Sequence, residues 1–502
     1  MTPTDHRPHM TLTQRLVQNW IGLTGVVVVG ASFFAFALLM AIDLSLGFDN
    51  PYLGIFTYLV APFFLVLGLA LMAVGLFVER VRRRRHAPEE IPRFPRLDFN
   101  SPRQRKAFGL ATGATGVFLL ATAFGSYGSY HFSESVSFCG KTCHSVMAPE
   151  YTAYQNSPHA QVACVQCHIG PGASWFVKSK LSGTYQVYAV MFDKYPRPIP
   201  TPVKNLRPAQ ETCEQCHWPK SFYGNAERVN YHYLPDSTNT PWTVRLLMKV
   251  GGGNPSRGPV GGIHWHMNIN NTVEYIASDT ARQVIPWVRI TDPQGRVTVY
   301  RAETDSATDS LIAHETPRRM DCIDCHNRPT HIYNSPSRSV NLSLATGRIS
   351  PKLPWIKKNA VEVLAADYTS RQQGLDSIAT ILGRDYETTR DTALVRQAIA
   401  EVQHIYNNNF FPNMKVDWRV YPDNIGHEIF PGCFRCHDGQ HKSADGRMIP
   451  NDCSTCHIIM AQGSGAQSHL LSPQGLEFKH PVDIGGMWKE APCTTCHTGT
   501  LP

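Results

Sequence analysis

The chain has 502 residues, and its 47 Lys and Arg against 39 Asp and Glu give a formal net charge of +8. Residues 1–126 hold 12 basic and 7 acidic residues, so the remaining 376 residues carry only +3. This near balance argues against a concentrated basic, nucleic-acid-binding surface on residues 127–502.

Three apolar runs occupy the N-terminal quarter. Residues 20–42 and 52–77 are each long enough to cross a hydrocarbon core as a helix. A shorter run at 108–127 is rich in Gly, Ala and Thr, which let membrane helices pack closely. We expect two transmembrane helices within 17–78, after a cytoplasmic N-terminus at 1–16, and a third at 108–127. A cleaved signal peptide is the alternative for the first run, but the second run follows closely and would itself need orienting.

The charges between these runs orient them. The segment 79–107 contains ten Lys and Arg, whereas the loop between the first two runs has Asp43 and Asp49 and neither Lys nor Arg. The positive-inside rule therefore makes 79–107 a cytoplasmic loop and directs the third helix outward. A patch that binds lipid or nucleic acid is the alternative for the arginines.

All fourteen cysteines fall into seven pairs, and a histidine follows each pair at once. Six pairs read Cys-x-x-Cys-His, and the first has one additional intervening residue. The cysteines are Cys139, Cys143, Cys164, Cys167, Cys213, Cys216, Cys322, Cys325, Cys433, Cys436, Cys453, Cys456, Cys493 and Cys496, and the histidines are His144, His168, His217, His326, His437, His457 and His497. This is the attachment signature of c-type haem, in which two thiols form thioethers and the imidazole ligates the iron. Zinc ribbons and disulfides do not require the adjacent histidine. We expect seven haems, which are attached outside the cytoplasm, in agreement with the charge-based orientation.

So many haems in 376 residues must supply much of the buried apolar surface. The predicted fold is therefore mostly α and irregular: three N-terminal transmembrane helices and an extracytoplasmic multihaem cytochrome c domain with short helices, loops and little sheet. Its predicted segments are a three-haem module at 128–225, a one-haem segment at 226–345, a helical scaffold at 346–412 and a C-terminal three-haem module at 413–502. Within the second segment, residues 285–291 and 296–301 are apolar and β-branched around Asp-Pro-Gln-Gly, which predicts a hairpin.

The first motif departs from the others in spacing. The additional residue between Cys139 and Cys143 must bulge, which can turn His144 away from the iron. Met147 lies three residues further on, and a thioether ligand would raise the potential of that haem. Both His144 and Met147 remain candidate ligands.

Electron-transfer haems usually take two strong axial ligands, and twelve other histidines lie outside the cytoplasm for at most seven distal positions. Those beside haem motifs are the best candidates, and they are His159, His232, His331, His427, His441 and His480. In Gly-Ile-His-Trp-His-Met, His264 and His266 lie on one side of an extended chain. We expect one of the two to ligate iron, with His266 favoured.

Residues 137–220 carry SFCGKTCHSVM, a Ser-x-His element, CVQCHIGP, a Lys-rich segment and CEQCHWP. This stretch resembles the NapC/NirT family of membrane-anchored multihaem quinol dehydrogenases. The whole is most similar to the seven-haem, inner-membrane cytochromes of metal-respiring bacteria. The later part departs from the family's four-haem pattern, whose fourth motif would come well before Cys322.

The resemblance implies that quinol is oxidised beside the membrane near the first haem. Lys178 and Lys180 occupy the family's Lys-rich position and are expected to contact the quinone head group, although ordinary solvated lysines are the alternative. Family members often carry an acid shortly after the lysine. Here the next acid is Asp193, so Glu150 or a haem propionate is an alternative proton acceptor.

We therefore expect a multi-pass protein of the bacterial inner membrane with its haem domain in the periplasm. Its partners would be the lipid membrane, the quinol pool, and a periplasmic redox protein or subunits of a respiratory complex. The alternatives are an electron-relay subunit whose quinone site lies on another chain, and a terminal reductase of a small oxyanion with one open haem. Twelve histidines for seven haems give no sign of a missing ligand.

Overall fold

A computed structural model describes residues 16–17, 19–46, 60–85, 98–142, 144–170, 172–203, 207–218, 221–251, 261–267, 271–303 and 308–500. The chain divides into two compact units, one of Met1–Phe138 with Cys164–Phe192, the other of Cys139–Ala163 with Asp193–Pro502. The described residues are largely helical with little sheet, which confirms the predicted fold class. Within the predicted cytoplasmic N-terminus, 1–16, and Arg-rich loop, 79–107, residues 1–15 and 86–97 lie outside the described residues.

The α-helices are α1 (Trp20–Leu46), α2 (Ala61–Arg85), α3 (Pro102–Ser133), α4 (His144–Gln155), α5 (Cys164–His168), α6 (Ala173–Met191), α7 (Ala209–Cys213), α8 (Thr308–His314), α9 (Cys322–Cys325), α10 (Pro336–Ala345), α11 (Ile356–Ala365), α12 (Arg371–Asp385) and α13 (Thr392–Asn409). The strands are β1 (Ala226–Tyr233), β2 (Pro241–Met248), β3 (Thr272–Ile276), β4 (Trp287–Thr291), β5 (Val297–Ala302), β6 (Arg318–Arg319), β7 (His441–Ser443) and β8 (His457–Gly463).

The helices α1, α2 and α3 are long and apolar enough to cross a membrane, as the three apolar runs predicted. Helix α3 is longer than the predicted span 108–127 at both ends, since it begins at Pro102 and ends at Ser133. Its 32 residues span about 48 Å, which is longer than the ~30 Å hydrocarbon core. The helix therefore has the length to carry the chain beyond the lipid before the first haem motif begins.

Glycines allow α1 and α2 to pack closely. A Cβ atom on Gly68 would lie 2.8 Å from Cγ2 of Val29, and one on Gly25 would lie 2.7 Å from the backbone nitrogen of Met72. Small residues at such crossings let membrane helices approach each other. The glycines of α3 meet no neighbour of this kind among the described residues. The glycine-mediated close packing is therefore between α1 and α2, whereas the sequence analysis expected close packing of the third helix.

The second unit contains two antiparallel sheets, with strand orders β1-β2-β8 and β6-β3-β4-β5-β7. The predicted hairpin is present, because β4 pairs with β5 from Trp287↔Arg301 to Thr291↔Val297. Strands β7 and β8 come from the predicted C-terminal module and pair with β5 and β2 of the one-haem segment. These two segments therefore share both sheets, although the sequence suggested separate modules.

Three helices, α11, α12 and α13, occupy the predicted scaffold. Their apolar positions are buried, among them Ile356, Leu364, Ile378 and Val402 at 0% exposure. The hydroxyl of Ser370 caps α12 by accepting a hydrogen bond from the backbone N–H of Gln373. The three helices are therefore packed through buried apolar side chains.

One lysine is buried in that scaffold and gives a testable pH dependence. Lys357 is 0% exposed, and its Nζ donates to the carbonyl and hydroxyl of Ser337 at 2.9 Å. Burial lowers the pKa of Lys357 from 10.5 to about 7, although Glu428 partly opposes this. The unfolded chain then binds more protons between pH 7 and 10.5, so this lysine makes the free energy of unfolding rise with pH across that window.

We expect Lys357→Met to reduce this rise by about 3–4 kcal/mol between pH 7 and pH 10. Chemical denaturation of wild type and variant between pH 7 and 10, followed by circular dichroism, measures the difference. Lys358→Met, which changes the exposed neighbour that pairs with Glu362, is the matched control and should leave the pH dependence unchanged. Parallel curves for wild type and Lys357→Met would contradict the prediction.

Candidate functional site

Four Cys-x-x-Cys-His motifs are closed into a tight helical turn by the histidine N–H, Cys164–His168 forms α5, and His457 of the Cys453 motif begins β8. The histidine N–H donates to the first cysteine carbonyl at 2.8 Å in His217→Cys213, His326→Cys322 and His497→Cys493, and at 3.1 Å in His437→Cys433. Residues i, i+3 and i+4 share one face of such a turn. Both thiols and the imidazole are therefore presented to the same side, as covalent attachment and axial ligation of one porphyrin require.

The alternatives to haem receive no support from the side chains. The ten cysteines from Cys213 onward form no disulfide bonds in the structure. Among the residues that the structure describes, no group of three or more His, Cys, Asp and Glu side chains is arranged to hold a metal ion. A zinc ribbon needs four such ligands around one centre.

The first motif accommodates its additional residue in a π-helical turn, Phe138–Thr142. A π-turn absorbs one extra residue within a helix, which is the bulge that the spacing predicted. A Cβ atom on Gly140 would overlap the ring of Tyr151, so this turn needs glycine. Cys143 and the side chain of His144 lie outside the described residues. Met147 is half-buried in the first turn of α4, and the choice between His144 and Met147 stays a prediction.

Five proximal histidines each face another histidine ring. The centroid separations are 6.0 Å for His159–His217, 6.5 Å for His264–His326, 5.8 Å for His266–His437, 6.3 Å for His427–His457 and 6.0 Å for His480–His497.

This separation is the one that a shared metal requires. A bond from a metal to an imidazole nitrogen is about 2 Å long, so two nitrogens on opposite sides of iron are about 4 Å apart. Each ring centre lies about 1 Å behind its nitrogen, which places the centroids about 6 Å apart. All five pairs fit bis-histidine haem within half an ångström of that value.

Four of the predicted distal ligands are in these pairs: His159, His266, His427 and His480. His264 is a fifth, although the sequence predicted only one ligand from its segment. His331, another predicted ligand, has its Nδ1 3.1 Å from the carbonyl oxygen of Glu150. This contact does not test ligation, so His331 stays a prediction.

Two other predicted ligands have different surroundings. His441 is 1% exposed, and its two ring nitrogens lie 2.9 Å from Asp438 Oδ1 and 2.7 Å from the carbonyl oxygen of Ile285. Because both nitrogens are used by the protein, this position favours a structural role for His441. His232 lies on β1, where burial lowers its pKa and its charge interacts with that of His497. The ring that faces His497 at ligand distance is that of His480.

Lys180 is fixed at the C-terminal end of α3, the third helix that could cross a membrane. Its Nζ lies 3.0 Å from Ser133 Oγ and 3.0 Å from Glu134 Oε1, directly where α3 ends. The ammonium group also lies 4.8 Å from the ring centre of Phe176, which in turn contacts Tyr130 of α3. With its side chain 36% exposed, Lys180 is held in place and yet remains accessible.

The second predicted lysine is placed differently. Lys178 is exposed, and its Nζ lies 4.6 Å from the ring centre of Trp175. Residues two apart on a helix point in different directions. The structure therefore distinguishes the two lysines, which the sequence could not.

The carboxylates considered in the sequence analysis have other partners. Asp193 pairs with Arg197, whose hydrogen bond lowers the pKa of that carboxyl group. Glu150 lies 3.5 Å from Nη2 of Arg328. The acid that contacts Lys180 is Glu134, which sequence reasoning missed because it precedes the lysine by 46 residues. The sequence signal that could have identified Glu134 is an acidic residue shortly after an apolar, membrane-spanning run.

Helical Cys-x-x-Cys-His turns, paired histidine rings and three helices that can cross a membrane together define a membrane-anchored multihaem cytochrome c, a protein of electron transfer. Residues 101–199 match the NapC/NirT cytochrome c family, N-terminal region. The chain is also 44% identical over 499 residues to "Cytochrome c-type protein ImcH" of Geobacter sulfurreducens, with 97% of each chain covered. This chain belongs to the NapC/NirT cytochrome c family, as its motifs indicated. No solved structure matches it.

Proposed function

We propose that this chain is a quinol dehydrogenase of the bacterial inner membrane. It oxidises quinol at the outer end of its third membrane span and passes electrons through seven c-type haems to a periplasmic redox protein or a subunit of a respiratory complex. The observation that carries the proposal is the position of Lys180, held by Ser133 and Glu134 where α3 ends.

This lysine–glutamate pair has the two groups that quinol oxidation needs from a protein. Quinol releases two protons and two electrons as it becomes quinone. The ammonium group of Lys180 donates a hydrogen bond to an oxygen of the quinol and orients the ring. The carboxylate of Glu134 accepts the two protons in turn and releases the first to solvent before it takes the second. Haem, when bound, supplies the one-electron acceptor.

The chain itself keeps this pair close to the first haem motif. Glu134 precedes Cys139 by five residues, which span at most about 18 Å even when fully extended. The length of the chain therefore limits the distance between this proton acceptor and the first point of haem attachment to about 18 Å.

The haem domain is placed in the periplasm because the Arg-rich loop before α3 is retained in the cytoplasm under the positive-inside rule. Six haems take His168, His217, His326, His437, His457 and His497 as proximal ligands. The haem on Cys139 and Cys143 takes His144 or Met147.

Anaerobic stopped-flow reduction of the detergent-solubilised protein tests the proposal. We expect a menaquinol analogue to reduce the haems rapidly, with inhibition by a quinone-site inhibitor, as haem absorbance would show. Full reduction by dithionite combined with none by quinol would overturn it, and would assign the chain to a relay or reductase that depends on another subunit.

A further inference from the structure

We propose that a single 3₁₀ turn, Ile263–Met267, supplies the distal ligands of two different haems. His264 ligates the haem of Cys322 and Cys325, and His266 ligates the haem of Cys433 and Cys436. The inference rests on the haem-binding part of the proposed function and is independent of quinol oxidation.

The ring geometry carries the assignment. His264 and His326 are 6.5 Å apart with an interplanar angle of 7°, whereas His266 and His437 are 5.8 Å apart at 86°. Both separations suit an iron between two imidazole nitrogens. The two angles differ, so the haems are expected to have different electronic signatures, with parallel imidazole planes at one iron and perpendicular planes at the other.

The hydrogen bonds of the two rings leave the correct nitrogen for iron. His264 Nδ1 lies 3.1 Å from the carbonyl oxygen of Val250, and His266 Nδ1 lies 2.9 Å from that of Ile263. A carbonyl only accepts, so Nδ1 carries the proton in both rings and Nε2 keeps its lone pair. Ligand histidines are commonly oriented by such a bond from the other ring nitrogen.

The backbone explains why the two rings diverge. In a 3₁₀ helix with three residues per turn, positions two apart differ by about 240° around the axis. An extended chain would have placed His264 and His266 on one side, as the sequence analysis assumed, and only one could then have reached a given haem. The turn directs them to separate irons.

The proximal side shows independently that these two motifs are neighbours. Arg435, inside the Cys433 motif, donates from Nη2 to the carbonyl oxygen of Asp324, inside the Cys322 motif, at 2.7 Å. Arg435 is 9% exposed, and its Nε also donates to the carbonyl oxygen of Gly432 at 2.8 Å. The two haems are thus held together at both faces, which makes them a closely coupled pair.

The consequence is a structural link in the electron path. The Cys322 motif belongs to the segment with a single haem, and the Cys433 motif opens the C-terminal group of three. Because one turn ligates a haem of each group, it fixes the distance across which electrons pass between them.

The test uses the full-length holoprotein and three alanine variants, His264→Ala, His266→Ala and the double variant. Each single variant is expected to convert one low-spin haem to high spin, and the double variant two, as counted by electron paramagnetic resonance and magnetic circular dichroism. Haem content, measured as the pyridine haemochrome, should be unchanged. His441→Ala is the matched control and should produce no high-spin haem, because both nitrogens of His441 bond to protein atoms.

His264→Met and His266→Met are the controls for misfolding of the alanine variants. A methionine thioether can still ligate iron, so each of these variants should raise the reduction potential of one haem. The inference is overturned if either histidine can be replaced without a change in spin state or potential, or if the double variant affects only one haem. If the wild type does not oxidise quinol but the variants show the expected spin changes, the proposed function is refuted and the ligand assignment stands.

Discussion

Replacing Lys180 by methionine is expected to slow the reduction of the haems by menaquinol about 100-fold, which corresponds to the loss of one preorganised hydrogen-bond donor. Ser133 and Glu134 hold the Lys180 ammonium group in place, so the donor is already positioned when quinol arrives. Lys178→Met should cost less than about threefold, because an exposed lysine beside Trp175 has no such fixed geometry. Stopped-flow absorbance with a menaquinol analogue gives both rates.

Reduction by dithionite is the control for this comparison, since it does not require a quinol site and should be the same in all three proteins. Equal losses in the two lysine variants would show that general positive charge near the membrane matters rather than the position of Lys180. A normal rate in Lys180→Met would remove this lysine from the proposed site.

Local patterns in the sequence were sufficient to predict the structural features that depend only on residues nearby in the chain. An apolar run of about 20 residues makes a membrane helix because every backbone polar group must be satisfied within the segment. A Cys-x-x-Cys-His motif makes its own turn, in which the three side chains share one face. The hairpin of β4 and β5 is equally local, because its turn residues lie between the paired strands.

Features that join distant parts of the chain could not be derived in this way. The pairing of β2 with β8 crosses about 200 residues and has no local signal. The same holds for the contact between Glu134 and Lys180, where the acid lies before the lysine rather than after it. The sequence could identify His264 and His266 as candidates, but the choice between one ligand and two depended on whether their backbone is extended or a 3₁₀ turn.

Glu134→Gln is expected to lower the maximal rate of quinol oxidation by at least about 100-fold, the lower range for loss of a general base. Glutamine keeps an oxygen that can accept a hydrogen bond from Lys180, so the lysine remains positioned and the KM for quinol should change little. What is lost is the carboxylate that takes the proton. A merely structural ion pair would show the opposite split, with a raised KM and an unchanged maximal rate.

Glu134→Gln should also change how the rate of quinol oxidation depends on buffer, because the proton has a different acceptor. Without Glu134 the proton must pass to the solvent, so the rate should increase with the concentration of a basic buffer, whereas that of the wild type should not. Glu227→Gln removes another carboxylate paired with a basic side chain, Arg245 on β2, and should leave both rate and buffer dependence unchanged. If Glu134→Gln oxidises quinol at the wild-type rate, the proton acceptor is a different group and only the positioning role of Lys180 survives.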